Sequence, residues 1–161
     1  MKLYLVRHGE AVSSDVDPAR PLSRRGRTEV RRVAHFLARA GVSPQSIRHS
    51  GKRRAEQTAE LLADALGTTT PVEELPGLDP HDPTDEFLYI LREWTEDTMV
   101  VGHLPFLEKL VSRLLVGDEN ASIVSFSPAT MVCLERAEAG QWYVVWMVRP
   151  ELVARVERDV P

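Results

Sequence analysis

Short apolar runs alternate with amphipathic segments along most of this 161-residue chain, and this alternation limits the fold more than any other feature. The apolar runs have the length and composition of buried strands, and they occupy residues 2–6, 46–49, 72–75 and 98–102. The amphipathic segments carry apolar side chains at helical spacing over residues 24–40, 52–66 and 84–94, and a fourth helix is expected to open at Pro105. Strands that alternate with helices form a mainly parallel sheet with helices on both faces. We therefore predict an α/β fold, a three-layer α/β/α sandwich.

The pattern changes after Gly117, where turn residues separate shorter apolar stretches. Residues 122–126, 131–136 and 142–148 have strand-like sequences, and Ala139 and Gly140 suit a turn between the last two. Strands joined by short turns pair antiparallel, so we expect an antiparallel edge on the sheet. No repeat or long linker divides the chain, and residues 1–161 are interpreted as a single domain.

Composition excludes several classes of protein. Apolar residues make up 43% of the chain and charged residues 27%, values typical of an ordinary globular domain. The longest apolar runs are far shorter than a membrane span, and the first strand begins directly after Met1, so we expect neither a membrane protein nor a cleaved signal peptide. One cysteine, Cys133, excludes an intramolecular disulfide and a multi-cysteine metal site. A cytoplasmic location and a monomeric state are the expectations.

Net charge is −4, which does not favour binding to nucleic acid. One stretch is nevertheless crowded with arginines at positions 20, 24, 25, 27, 31 and 32. Glu29 interrupts this stretch and apolar residues keep helical spacing through it, so we interpret it as the solvated face of an amphipathic helix.

Three polar motifs follow predicted strands. They are Arg7-His8-Gly9 after the first strand, Ser50 to Thr58 after the second, and Gly102-His103-Leu104-Pro105 after the fourth. Because ligands in open α/β sheets bind outside the carboxyl ends of the strands, these motifs are expected to share one pocket. Arginine binds phosphate oxygens in pairs, which suits Arg7 and Arg54.

The chemistry of these residue types indicates phosphoryl transfer. A neutral imidazole can attack phosphorus and form a covalent intermediate, and a second histidine can stabilise the charge on the phosphoryl oxygens. Gly9 would let the backbone approach the substrate, and Ser50 would add a donor. His35, His49 and His81 lack a matching context and are interpreted as structural, as Cys133 is interpreted as a small buried apolar group.

Together, these motifs resemble the histidine phosphatase superfamily, the phosphoglycerate-mutase-like group, over nearly the whole chain. The short length, Arg20-Pro21-Leu22-Ser23 and Gly102-His103-Leu104-Pro105 look most like SixA-type phosphohistidine phosphatases. The resemblance implies a phosphoglycerate-mutase-like fold and no metal or other cofactor. It implies that His8 is the nucleophile and that Arg7, Arg54 and His103 complete the phosphate pocket, with Gly9 and Ser50 as substrate-binding residues.

The chain departs from the family pattern in two places. Gly51 replaces a proline that is common after the serine of the second motif, and Pro76-Gly77 stands where larger members carry an acid that protonates the leaving group. A placed general acid typically contributes ~10²–10⁴-fold to the rate, but a phosphorus–nitrogen bond is labile without one. We therefore predict a phosphatase that acts on phosphohistidine in a partner protein.

Two alternative functions stay open, and a third is disfavoured. A phosphatase for small phosphate esters, such as sugar phosphates or nucleotides, would use Asp79, Asp82 or Asp85 as its acid. A non-catalytic phosphate-binding module would not need the nucleophile His8. A metal hydrolase that uses His8, Glu10 and His103 is disfavoured, because the spacings match no zinc signature and arginine beside a cation is unfavourable.

Overall fold

A mixed six-stranded sheet forms the centre of the structure, a computed structural model that describes residues 1–67, 69 and 71–158. The strands are β1 (Lys2–Arg7), β2 (Ser46–His49), β3 (Val72–Glu74), β4 (Thr98–Gly102), β5 (Met131–Arg136) and β6 (Trp142–Val148). The helices are α1 (Arg24–Arg39), α2 (Arg53–Leu66), α3 (Thr84–Leu91), α4 (Phe106–Val116) and α5 (Pro150–Arg158). Every helix in the described residues is too short or too polar to cross a bilayer.

The strand order is β3-β2-β4-β1-β5-β6, in which the first four strands are parallel. Strand β1 pairs parallel with β4 and antiparallel with β5, and β5 pairs antiparallel with β6. The predicted mainly parallel sheet with an antiparallel edge is confirmed. The carboxyl ends of β1, β2 and β4 lie at one edge of the sheet, which is where the three sequence motifs begin.

Alternating side chains of β1 enter two separate cores, because successive residues of a strand point to opposite faces. Tyr4 and Val6 pack in one core with residues of α1, α2 and α5. Leu3 and Leu5 pack in the other with residues of α3 and α4. Full burial of a side chain such as leucine contributes roughly 1.5–3 kcal/mol. The helices on both faces therefore hold the central strand, and the loop that follows it, in place.

Helix ends follow the signals in the sequence. The Ser23 hydroxyl accepts a hydrogen bond from the Gly26 amide at 3.0 Å and caps α1, as predicted. Gly67, with φ 62°, ends α2 in the left-handed conformation that glycine adopts at little cost. Helix α3 ends at Leu91, three residues before the prediction, and the Arg136 guanidinium donates to the carbonyls of Leu91 and Trp94 at and beyond this end.

Two elements differ from the prediction. Residues 122–126 are not a strand. The Phe126 carbonyl accepts a hydrogen bond from Arg7, and the Phe126 side chain is buried among residues of α4. Helix α5 was not predicted. Its Val153 is buried in the core that contains Val30 and Val33 of α1, so packing supports a helix that the sequence pattern did not reveal.

Gly26 supplies a test of how closely α1 approaches the loop after β1. A Cβ atom at this position would lie 2.1 Å from the Glu10 carbonyl oxygen, so α1 would have to move. In an isolated helix, alanine in place of glycine stabilises by about 1 kcal/mol. We expect the opposite sign here: Gly26→Ala should lower the free energy of unfolding by about 1–3 kcal/mol in urea denaturation.

Thr28→Ala, on the exposed face of the same helix, is the matched control and should change the free energy of unfolding by less than about 0.5 kcal/mol. Equal stability of Gly26→Ala and the unmodified chain would show that α1 does not need this close approach.

Candidate active site

The carboxyl ends of β1, β2 and β4 bring the two predicted histidines together. His8 follows β1, His103 follows β4, and the His8 amide donates to the Gly102 carbonyl at 3.1 Å. The two imidazole ring centroids are 5.0 Å apart, and the rings are tilted by 53°. Both side chains are buried. The first and third motifs therefore meet at the carboxyl edge of the sheet, and one shared substrate pocket stays a prediction.

A single hydrogen bond fixes the tautomer of His8. Its Nδ1 lies 2.7 Å from the Gly9 carbonyl oxygen, and a carbonyl only accepts, so Nδ1 carries the proton. Nε2 therefore keeps its lone pair. Burial lowers the pKa of His8 from 6.5 to about 4, helped by the charges of Arg54, Arg7 and Arg20 and opposed by the Gly9 bond. The imidazole is neutral at pH 7, the state in which it can act as a nucleophile.

His103 is held by the serine of the second motif. Its Nε2 lies 2.6 Å from the Ser50 hydroxyl oxygen, and that oxygen accepts a hydrogen bond from the Lys52 amide at 3.4 Å. Burial is the largest cause that lowers the pKa of His103 to about 3, followed by His8 and Arg54. Nδ1 of His103 is buried and has no hydrogen-bond partner among the described residues. Ser50 thus contacts His103, in addition to its predicted role toward substrate.

Arg7 and Arg54 present buried donors with no protein acceptor. The Nε atoms of both side chains are buried without a hydrogen-bond partner among the described residues. Arg7 Nη1 donates to the Phe126 carbonyl at 2.7 Å, which orients its guanidinium. An unmet buried donor costs about 1–3 kcal/mol, so its retention needs a reason. Together with Nδ1 of His103, these donors suit an anion with several acceptor oxygens.

Thr58, the last residue of the second motif, connects the start of α2 to the loop after β1. Its hydroxyl donates to the Arg54 carbonyl at 2.8 Å and accepts from the Gly9 amide at 3.1 Å. Gln57, the preceding residue, accepts the Leu22 amide at 2.7 Å. These bonds tie the start of α2 to the loops that follow β1 and precede α1. Sequence reasoning gave neither side chain a role, although both lie in the motif.

Gly9 has a packing reason to lack a side chain. A Cβ atom there would lie 2.7 Å from Val30 Cγ2 and 3.2 Å from the Gly26 carbonyl oxygen. The glycine therefore allows α1 to pack against the loop after β1. Its predicted close approach to the substrate backbone stays a prediction.

The three aspartates that the sequence offered as acids, two in the loop before α3 and one in its first turn, have different contacts. Asp82 accepts the Asp79 amide at 2.8 Å and closes a turn, and Asp85 forms an ion pair with Arg113 at 2.6 Å. Asp79 lies 3.8 Å from Lys52 Nζ, and its charge opposes the burial and the Arg20 charge that lower the pKa of Arg54. Of these three, Asp79 is the one whose charge acts on a predicted site residue.

The remaining sequence-predicted groups lie elsewhere or have structural contacts. His35 and His81 are exposed, and His49 Nδ1 accepts the Gly51 amide at 3.0 Å. Cys133 is buried in the sheet, and burial raises its pKa to about 11. Within the described residues, no three His, Cys, Asp or Glu side chains form a group that could hold a metal ion.

Comparisons with known proteins agree with this geometry. Residues 3–82 match the family model described as "Histidine phosphatase superfamily (branch 1)". The chain is 30% identical over 155 residues to the phosphohistidine phosphatase SixA of Escherichia coli (strain K12), which covers 93% of this chain and 94% of that protein.

Two further matches extend the comparison. An uncharacterised protein of Picosynechococcus is 36% identical over 125 residues, 73% of this chain and 74% of that protein. A solved structure of the protein histidine phosphatase SixA complexed with tungstate superposes with a TM-score of 0.83 and 28% identity, covering 95% of this chain and 99% of that one.

The two buried histidines make stability depend on pH. Folded His8 and His103 have pKa values of about 4 and 3, against 6.5 for an exposed imidazole, so between pH 6.5 and 4 the unfolded chain binds more protons. The free energy of unfolding should therefore fall as pH decreases through this window, by up to about 1.4 kcal/mol per pH unit for each histidine. Urea denaturation at pH 7, 6 and 5 measures the slope.

His8→Gln and His103→Gln should each reduce that slope, since glutamine does not titrate. An unchanged slope in both variants would mean that the two imidazoles have the same pKa in the folded and the unfolded chain.

Proposed function

Because this chain belongs to the histidine phosphatase superfamily, we propose that it is a phosphohistidine phosphatase that acts on a phosphorylated partner protein through an intermediate on His8. The observation that carries the proposal is the bond from His8 Nδ1 to the Gly9 carbonyl, which leaves Nε2 unprotonated beside two arginines. We further propose residues 1–161 as one histidine phosphatase domain, with His8, Arg7, Arg54 and His103 as catalytic residues and Gly9 and Ser50 as substrate-binding residues.

In the first step, Nε2 of His8 attacks phosphorus and the phosphorus–nitrogen bond of the substrate breaks. The leaving imidazole nitrogen takes a proton from water, and the phosphoryl group is now bonded to Nε2. The ring of His8 becomes cationic, and its Nδ1–H bond to the Gly9 carbonyl stabilises that charge. This step needs no carboxylic acid from the protein.

In the second step, water attacks phosphorus and the bond to Nε2 breaks, which releases inorganic phosphate and returns His8 to its neutral form. Phosphoryl transfer depends mainly on positioning and on stabilisation of charge at the equatorial oxygens. The buried donors of Arg7, Arg54 and His103 supply that stabilisation. Because the protein holds these donors before substrate arrives, little reorganisation is needed in the transition state.

The proposal is tested with a phosphohistidine-containing protein as substrate. His8→Ala should lose essentially all turnover while its circular dichroism spectrum and unfolding midpoint stay close to those of the unmodified protein. An alkaline quench, which preserves phosphoamidates, should trap one phosphoryl group on His8, located by peptide mass spectrometry. His35→Ala, an exposed histidine on α1, is the matched control and should keep full turnover.

Phosphate found on a serine, or full turnover by folded His8→Ala, would refute this mechanism. A phosphohistidine protein that is not hydrolysed, while a small ester is, would transfer support to the ester phosphatase.

The position of Asp79 supports hydrolysis of small esters as the second candidate. It lies beside Lys52, and its charge acts on Arg54, so it is the loop carboxylate best placed to protonate an ester oxygen. If phosphohistidine is the substrate, Asp79→Asn should cost less than about threefold in kcat on phosphohistidine and on an aryl phosphate, because neither leaving group needs a protein acid. Steady-state kinetics on these two substrates and on an alkyl phosphate make the comparison.

Asp85→Asn, whose carboxylate pairs with Arg113, is the matched control and should behave like the unmodified enzyme on every substrate. A loss of ~100-fold or more by Asp79→Asn on all three substrates, the scale of a true general acid, would favour the ester phosphatase.

A further inference from the structure

Arg20 belongs to the loop that leads from β1 into α1, and this loop folds back toward the site. Ala11 and Leu22 form an antiparallel bridge, and the Val12 amide donates to the Pro21 carbonyl at 2.9 Å. The chain at Arg20 therefore lies beside residues that come shortly after His8. Since Leu22 is also bonded to Gln57 of α2, the loop is fixed to the helix that carries Arg54.

The backbone conformation of Arg20 costs free energy, and a hydrogen bond restrains its side chain. Its φ is +47°, in the left-handed region that costs a residue with a Cβ about 1–2 kcal/mol. Its Nε donates to the Val12 carbonyl at 3.2 Å, which directs the guanidinium. The terminal nitrogens make no hydrogen bond or ion pair with any residue that the structure describes. Glycine would adopt this backbone conformation at a lower free-energy cost, so the presence of an arginine here calls for another explanation.

Arg20 shares its lack of an acidic partner with the two predicted phosphate-binding arginines. Neither Arg7 nor Arg54 forms an ion pair within the described residues, whereas other arginines do, among them 25, 48, 53, 113 and 149. Burial is the largest cause that lowers the pKa values of Arg54, His8 and His103; the charge of Arg20 is the next cause for Arg54 and a smaller one for the two histidines. Arg7, Arg20 and Arg54 carry like charges that repel one another, and Asp79, whose charge acts on Arg54, forms its ion pair with Lys52. An anion bound among the three arginines removes that repulsion.

We propose that Arg20 is a third phosphate-binding arginine of this site, whose guanidinium contacts an oxygen of the bound phosphoryl group from the β1–α1 loop. Arg7 and Arg54 reach the group from the sheet edge and from α2, and Arg20 closes the side that this loop forms. A solvated surface arginine would not need the left-handed backbone or the bond to Val12. The inference rests on the proposed function for its substrate, but anion binding can be measured without turnover.

The test measures the dissociation constant of inorganic phosphate, and of tungstate as a tetrahedral analogue, by calorimetry. Arg20→Gln should weaken binding by roughly ten- to a hundredfold, the effect of one charge-assisted hydrogen bond. Arg24→Gln, the exposed arginine that begins α1, is the matched control and should change it by less than about twofold. Unchanged affinity in folded Arg20→Gln would overturn the inference.

Two further readouts separate a binding role from a structural one. Arg20→Gly relieves the left-handed strain, so it should unfold at an equal or higher temperature and still lose phosphate affinity. Arg20→Gln should raise the pKa values of His8 and His103 in NMR titrations, whereas Arg24→Gln should not. Loss of affinity only in variants that unfold at lower temperature would overturn the inference.

Failure of this inference is distinguishable from failure of the proposed function. If phosphate affinity depends on Arg20 but phosphohistidine is not hydrolysed, the proposed substrate is wrong and the third arginine stands. If phosphohistidine is hydrolysed and Arg20→Gln binds phosphate and turns over normally, the function stands and the inference fails.

Discussion

The position of β1 between β4 and β5 is the constraint on which the site depends. Both edges of the strand are paired and both faces are covered by helices, so its end has little freedom. The His8 amide bonds directly to Gly102 at the end of β4, which sets the spacing of the two histidines. The Thr58 hydroxyl then joins the amide of Gly9 to the carbonyl of Arg54. Backbone and hydroxyl hydrogen bonds, rather than ion pairs, hold the proposed catalytic groups in position.

Burial and positive charge act in the same direction in this site. Both lower the pKa values of His8 and His103, so the imidazoles are neutral while the guanidinium groups, which are not deprotonated in proteins, stay cationic. A neutral imidazole beside arginines that form no ion pair within the described residues suits the proposed attack of His8 on a phosphoryl group. The burial that lowers the stability of the protein at low pH also keeps the His8 imidazole neutral at neutral pH.

The sequence predicted the sheet, its antiparallel edge and the residues at its carboxyl edge, because each depends on local periodicity and on the general rule for open α/β sheets. Sequence-based prediction failed where contacts between residues distant in the sequence determine the local structure. Residues 122–126 have a strand-like composition, but both edges of β1 are taken and the Phe126 carbonyl accepts from Arg7 instead. Gln57 and Asp79 have partners distant in sequence, and Arg20 differs from the arginines of α1 by its left-handed backbone and its bond to Val12, which no sequence pattern reveals.

The parallel register of β1 with β4 also governs how this protein acquires its chemistry as it folds. The Lys2 amide bonds to the Asp97 carboxylate across 95 positions, and Leu3 pairs with Thr98, so this pairing closes a very long loop. Such closure costs chain entropy before any contact repays it, and folding rates fall as contacts become less local. During synthesis His8 is made well before His103, so the two imidazoles of the site cannot meet until the segment between them has been synthesised and β1 has paired with β4. Phosphatase chemistry in this fold therefore depends on completion of that pairing.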